Sequence, residues 1–262
     1  MARMKKRESI DLAILLMCPI LATLISLLFK TNVFVSVLLF FGIPALYLSF
    51  RGAKYIKKSI VFSVITSIPL IIIIDYVGHI TKMWIIPNSI LPFRLFGIVT
   101  IEVILWAVFN SYCVLMFYEY FLDKDVTKKA WFPQMKYLVV AILILFITFI
   151  ILFFNAPGVL HIPYFYLAFG IVLLLIPVVV ELFEYPKLIS KFARVGAYFF
   201  FLTFLYEVTA LKLGWWAFPG TEFVGWVSIF GTMFPIEELV FWLILFSTAV
   251  LSYYEYFDDD EK

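Results

Sequence analysis

Apolar residues gather in eight long runs, at about 11–29, 33–50, 59–77, 95–117, 137–154, 163–182, 196–212 and 228–252, separated by short polar breaks. A membrane-spanning helix needs about 20 such residues, so each run predicts one crossing. The first run follows a basic start, as a signal peptide would. Its apolar stretch exceeds the 7–15 residues usual there and no A-x-A-like site follows, so it reads as the first membrane helix.

The breaks sort the 20 basic residues unevenly. Arg3, Lys5, Lys6, Arg7, four residues in 51–58, four in 124–136, three in 187–194 and Lys262 fall on one side. Only Lys30, Lys82, Arg94 and Lys212 fall on the other. The basic side is expected to be cytoplasmic, with both termini inside a cell membrane. The acidic tail Asp258 to Glu261 does not change this, because the rule counts Lys and Arg, and it reads as a solvated end.

Composition agrees: 65% of the 262 residues are hydrophobic, against roughly 45–50% in soluble domains. The expected fold class is all-α, a polytopic bundle of about eight transmembrane helices. No GxGxxG or GxxxxGK[ST] pattern marks a nucleotide site. Cys18, Cys113, His79 and His161 offer neither metal-ligand nor disulfide spacing, so no metal is expected.

The chain repeats itself. Ile101–Phe121 aligns without a gap on Glu237–Phe257 at an offset of 136, which places Glu102 on Glu238, Trp106 on Trp242 and FYEYF on YYEYF. Upstream, Asp75–Pro87 aligns on Glu207–Pro219 at an offset of 132, matching Asp75 with Glu207, Trp84 with Trp216 and Pro87 with Pro219. These landmarks divide the chain into repeats 1–129 and 130–262, four helices each. Because four is even, both enter from the same side, and a pseudo-two-fold axis should run along the membrane normal.

Five acids, Asp75, Glu102, Glu207, Glu237 and Glu238, lie within or at the edge of the runs, with only Lys82, Arg94 and Lys212 flanking them from the outer loops. Each costs about 2.5–3.5 kcal/mol at a helix centre. Counting from the run ends puts Asp75 and Glu207 near outer helix ends and Glu102 and Glu238 two to three turns inside. A carboxylic acid that keeps its proton is a donor and an ionised neighbour an acceptor, so the cluster reads as proton-handling chemistry. Glu237 and Glu238 point about 100° apart on a regular helix, so Pro235 is expected to deform it. Trp84, Trp215, Trp216 and Trp226 fall near the outer interface, where tryptophan belts are ordinary. Trp106 and Trp242 follow Glu102 and Glu238 by four residues, on the same face. Tyr118, Tyr120, Tyr254 and Tyr256 read as interfacial anchors.

PIEELVFW, Pro235 to Trp242, with the acid, Trp and Pro landmarks from Glu207 to Pro219, resembles the integral-membrane lycopene cyclase domain family. The likeness covers about 33–121 and 163–257. In the first half Val99, Thr100, Ile101 and Glu102 stand where the second has Pro235, Ile236, Glu237 and Glu238. The resemblance implies redox-neutral cyclisation of a lycopene-type polyene with no cofactor. It makes Glu237 or Glu238 the proton donor and Glu207, Glu102 or Asp75 the base. Trp242, Trp106, Trp216, Trp84 and Pro235 would line the substrate. Expected partners are the polyene, the bilayer, and a second copy or other carotenoid enzymes, with no nucleic acid. A proton-coupled transporter, a carotenoid hydratase, a membrane prenyltransferase and a non-catalytic assembly subunit compete with this reading. The prenyltransferase lacks its aspartate-rich motifs, and the transporter would more usually show matched helix breakers in both halves.

Overall fold

A computed structural model describes residues 6–123 and 133–257. Among these described residues, eight helices are long and apolar enough to cross a membrane: α1 (Lys6–Phe29), α2 (Val33–Arg51), α3 (Ala53–Ile80), α4 (Ile101–Asp123), α5 (Met135–Asn155), α6 (Phe165–Glu184), α7 (Pro186–Leu213) and α8 (Glu238–Tyr256). The chain is a multi-pass membrane helix bundle. Arg3, Lys5, the basic residues Lys124 to Lys129, the boundary at 129/130, the acidic tail and Lys262 lie outside the described residues.

Local sequence explains the breaks. Asn32 caps α2 by accepting the amide of Val35 at 3.0 Å, and Thr100 caps α4 by accepting that of Val103 at 3.3 Å. Gly214, at φ 69°, ends α7 in the left-handed conformation that glycine tolerates best. Gly52 separates α2 from α3, and Pro186 opens α7 after Tyr185.

Two helices start later than the apolar pattern predicts. Residues 91–100 hold a tight turn in which Leu95 and Val99 pair around Phe96 (φ 52°) and Gly97 (φ 76°). Residues 226–235 form a hairpin outside the helices, β1 (Trp226–Ile229) against β2 (Thr232–Pro235), closed by Phe230 (φ 51°) and Gly231 (φ 75°). Two successive residues at positive φ make the hairpin turn that matches the twist of the strands. Pro235 therefore pairs with Trp226 at the end of β2 and does not kink α8. The deformation lies beyond it, in a π-helical stretch from Glu238 to Leu245.

The halves repeat element by element. α2 and α6 both carry a π-helical segment, Leu38–Gly42 and Gly170–Leu175, before a proline at the second position of the next α-helical segment. Residues at equivalent positions meet along one line through the bundle. On the face that carries the hairpin, Ile85 and its equivalent Ala217 exchange backbone hydrogen bonds of 2.9 and 3.1 Å. Midway, the rings of Trp106 and its equivalent Trp242 meet edge to face at 5.2 Å. On the opposite face, where most basic residues lie, Tyr254 donates to Glu119, the residue that follows its equivalent Tyr118. The pseudo-two-fold axis thus runs along the bundle, and the repeats are parallel.

Candidate functional site

Near the hairpin face, α3, α4, α7 and α8 surround a cavity of about 90 Å³. Asp75, Glu102, Glu207 and Glu238 line it together with Trp84, Trp106, Trp216 and Trp242. None of the lining residues is Lys, Arg or His. Arg94, eight residues before Glu102, spends its guanidinium on the carbonyls of Ile86 (3.0 Å), Pro87 (3.3 Å) and Ile98 (3.1 Å). The acids sit in the first turn of α4 and α8 and one to two turns from the ends of α3 and α7, shallower for Glu102 and Glu238 than the sequence pattern predicts. The reason is that residues 95–100 and 228–235 are turn and hairpin rather than helix.

Each carboxyl has a defined partner. The indole of Trp84 donates to Asp75 at 2.8 Å, and in the second repeat that of Trp216 donates to Glu207 at 3.1 Å. The acid and the tryptophan nine positions later are therefore one unit, which the sequence read partly as an interfacial belt. Trp84 is buried, Trp216 half-buried, and Trp215 buried with its indole donating to the carbonyl of Thr31. Only Trp226 of the four is exposed, at 42%.

Glu238 receives the hydroxyl of Tyr166, a buried residue of α6, and lines the same cavity as Glu207. Glu102 accepts from the Ser89 hydroxyl at 2.9 Å and from the Ile90 amide at 2.7 Å, while Glu237 accepts the Val224 amide at 2.6 Å. Glu237 points away from the cavity: it clamps the loop before α8 much as Glu102 clamps the loop before α4.

This changes the correspondence between the halves. At the helix starts Ile101-Glu102 matches Ile236-Glu237 at an offset of 135, whereas Trp106 and Trp242 match at 136. The π-helical stretch that opens at Glu238 accommodates the extra residue, which is what such bulges do within helices. Glu238 is the added acid, and the bulge separates its aim from that of Glu237. Pro235 lines nothing here.

Sequence reasoning missed Tyr166, one of 15 tyrosines and part of no motif. It also missed buried acids near the basic face. Asp11 takes bonds from Arg51 (2.6 Å), Tyr47 (2.6 Å) and Tyr120, and Glu119 pairs with the buried Lys58 at 2.9 Å. Tyr118, Tyr120 and Tyr254 are thus hydrogen-bond partners inside the bundle, and only Tyr256 stands out of it, 55% exposed. Cys113 is buried with its thiol on the Phe41 carbonyl, and no metal-ligand cluster occurs among the described residues.

The fold and site define a polytopic membrane protein with a buried carboxyl–tryptophan cavity. Comparison with family models, with curated proteins and with solved structures gives no match.

Proposed function

We propose that the protein is a carotenoid cyclase, closing the open ψ-end of a lycopene-like polyene to an ionone ring without redox change. One observation carries the reading: four acids line one cavity with four tryptophans and no Lys, Arg or His. Such a space suits a hydrocarbon cation better than a charged solute.

In the reaction, Glu238 gives its proton to the terminal double bond, whose π electrons form the new C–H bond and leave a tertiary cation. The π electrons of the next reacting double bond close the ring and move the positive charge into it. A carboxylate removes a ring proton, and that C–H pair becomes the ring double bond. One proton enters and one leaves, so the product is an isomer and general acid–base chemistry suffices. Glu207, which lines the cavity with Glu238, is the base we assign to restore the donor; Asp75 and Glu102 face the same space. The tryptophan faces stabilise the cation and the water-poor cavity protects it from capture. We also read the basic face as cytoplasmic, with both termini inside the cell, from the distribution of Lys and Arg.

The test is expression in bacteria that accumulate lycopene, with chromatography of the pigments. Conversion to γ- or β-carotene is expected, and the Glu238→Gln variant, folded in the membrane, is expected to lose about 10²–10⁴ of the turnover. Unchanged lycopene with protein in the membrane, or wild-type turnover by Glu238→Gln, sinks the reading. The buried hydroxyls of Ser59 and Ser63 on α3, without a hydrogen-bond partner, favour proton-coupled transport as the second reading. Proton uptake by vesicles carrying the protein, with no pigment conversion, would select it.

A further inference from the structure

A second cavity of about 250 Å³ adjoins the first, walled by α3, α4, α5, α6 and α8. Its lining is almost wholly apolar. Ile71, Trp106 and Trp242 line both cavities, so the two meet at the tryptophan pair. Along α3 the lining runs from Phe62 to Ile74, about 18 Å at 1.5 Å per residue. The outer wall is α5, the span with the smallest buried share, so this space is divided from the lipid-facing surface by one helix.

A symmetric bundle would carry a twin of this cavity between the equivalent helices of the other half. The sequence fills that place. Thr66, Ser67 and Ile74 of α3 line the cavity, and the register that sets Asp75 on Glu207 makes Tyr198, Phe199 and Tyr206 of α7 their equivalents. Leu173 and Leu174 of α6 line it too, and counting back from the matched prolines Pro177 and Pro44 makes Phe40 and Phe41 of α2 their equivalents. All five aromatic residues are buried in one cluster, with the Tyr206 ring edge-on to Phe40 at 5.1 Å and to Phe41 at 5.0 Å. At these five positions small or aliphatic side chains stand in the open half where rings stand in the other.

We propose that the open cavity seats a single extended hydrocarbon chain, whose end passes Trp106 and Trp242 to reach the carboxyls, and that the ring-filled half holds none. That the chain is a polyene rests on the cyclase reading. A molecule with one seat treats one end at a time, so a substrate with two reactive ends must leave and turn round between rings, and the one-ring product is released on the way.

The experiment transfers the equivalents' rings into the open half. Ser67→Phe and Leu174→Phe sit on different helices and each adds a ring where space exists, and Ala249→Leu is a smaller plug of the same wall. Protein is solubilised from lycopene-accumulating bacteria, and pigment per chain is read from visible absorption beside conversion and thermal unfolding. Wild-type protein should carry close to one pigment per chain. Plugs that keep the wild-type melting temperature should lose pigment and conversion by about tenfold or more. Two pigments per chain, none in the wild type, or plugs that bind and convert like the wild type would overturn the proposal. Wild-type conversion with indifferent plugs removes the seat and leaves the cyclase. Bound but unconverted lycopene that the plugs expel keeps the seat and removes the cyclase.

Discussion

Gly78 lies three positions after Asp75 on α3, and the indole of Trp84 folds back over it. A β-carbon at Gly78 would stand 2.3 Å from Cζ2 of that ring and 2.5 Å from Cη2, where ordinary contact starts at 3.4 Å. In the Gly78→Ala variant the ring must retreat by the difference between 3.4 and 2.3 Å, roughly an ångström. The same indole donates to Asp75 at 2.8 Å. N–H···O bonds extend to about 3.2 Å, so the retreat takes this one out of range. Alanine gains about 1 kcal/mol over glycine inside a helix. Against that, overpacking costs about 1–3 kcal/mol and a buried carboxyl left without its donor costs about 1–3 kcal/mol more. The losses win, with a net destabilisation of about 1–5 kcal/mol. Thermal unfolding in detergent should show a fall of several degrees, and pigment conversion should fall with it because Trp84 and Asp75 both line the acid cavity. Gly158→Ala, where a β-carbon meets nothing within 4 Å, is the control and should change neither. A Gly78→Ala protein with wild-type melting and turnover would refute the coupling of Gly78 through Trp84 to Asp75.

Two further substitutions separate frame from site. Glu237→Gln should lower stability by about 1 kcal/mol, through a weaker bond to the Val224 amide, and leave most of the conversion; loss comparable to Glu238→Gln would show that Glu237 reaches the substrate. Lys58→Met leaves Glu119, fully buried, without its cation and should cost about 3–5 kcal/mol in detergent unfolding, most of it regained in Lys58→Met/Glu119→Gln. A double variant no more stable than the single would place the cost elsewhere than in the stranded charge.

Lipid makes the spans readable. A helix crossing a bilayer needs uninterrupted apolar length, and eight such lengths stand in the sequence at the positions the helices occupy. The same property hides the ends of α4 and α8, because the turn around Phe96-Gly97 and the hairpin around Phe230-Gly231 are as apolar as the helices they precede. Phe230 is 72% exposed and Met233 61%, so hydropathy cannot tell this hairpin from a span. A Phe-Gly pair stands a few positions before the helix start in both halves, but Phe41-Gly42 and Phe169-Gly170 lie inside α2 and α6, so the pair by itself does not mark a turn. Repeat matching brought out Asp75, Glu102, Glu207 and Glu238. It could not distinguish the roles of Glu237 and Glu238, because an ungapped alignment absorbs the extra residue that the π-helical stretch makes room for.

Symmetry and its breaking divide the labour in this molecule. Where the halves agree, they build the frame: the Ile85–Ala217 exchange at one face, the edge-to-face Trp106–Trp242 pair midway, and an indole on an acid in each repeat. Where they disagree, they shape the cavities. Tyr166 stands where Val33 stands in the first half, Glu238 is an added acid with its own bulge, and rings fill the twin of the open cavity. Two equal halves would offer two half-sites about the axis. Each departure instead favours one side, so Glu238, Tyr166 and the open apolar space lie together rather than in two equal copies.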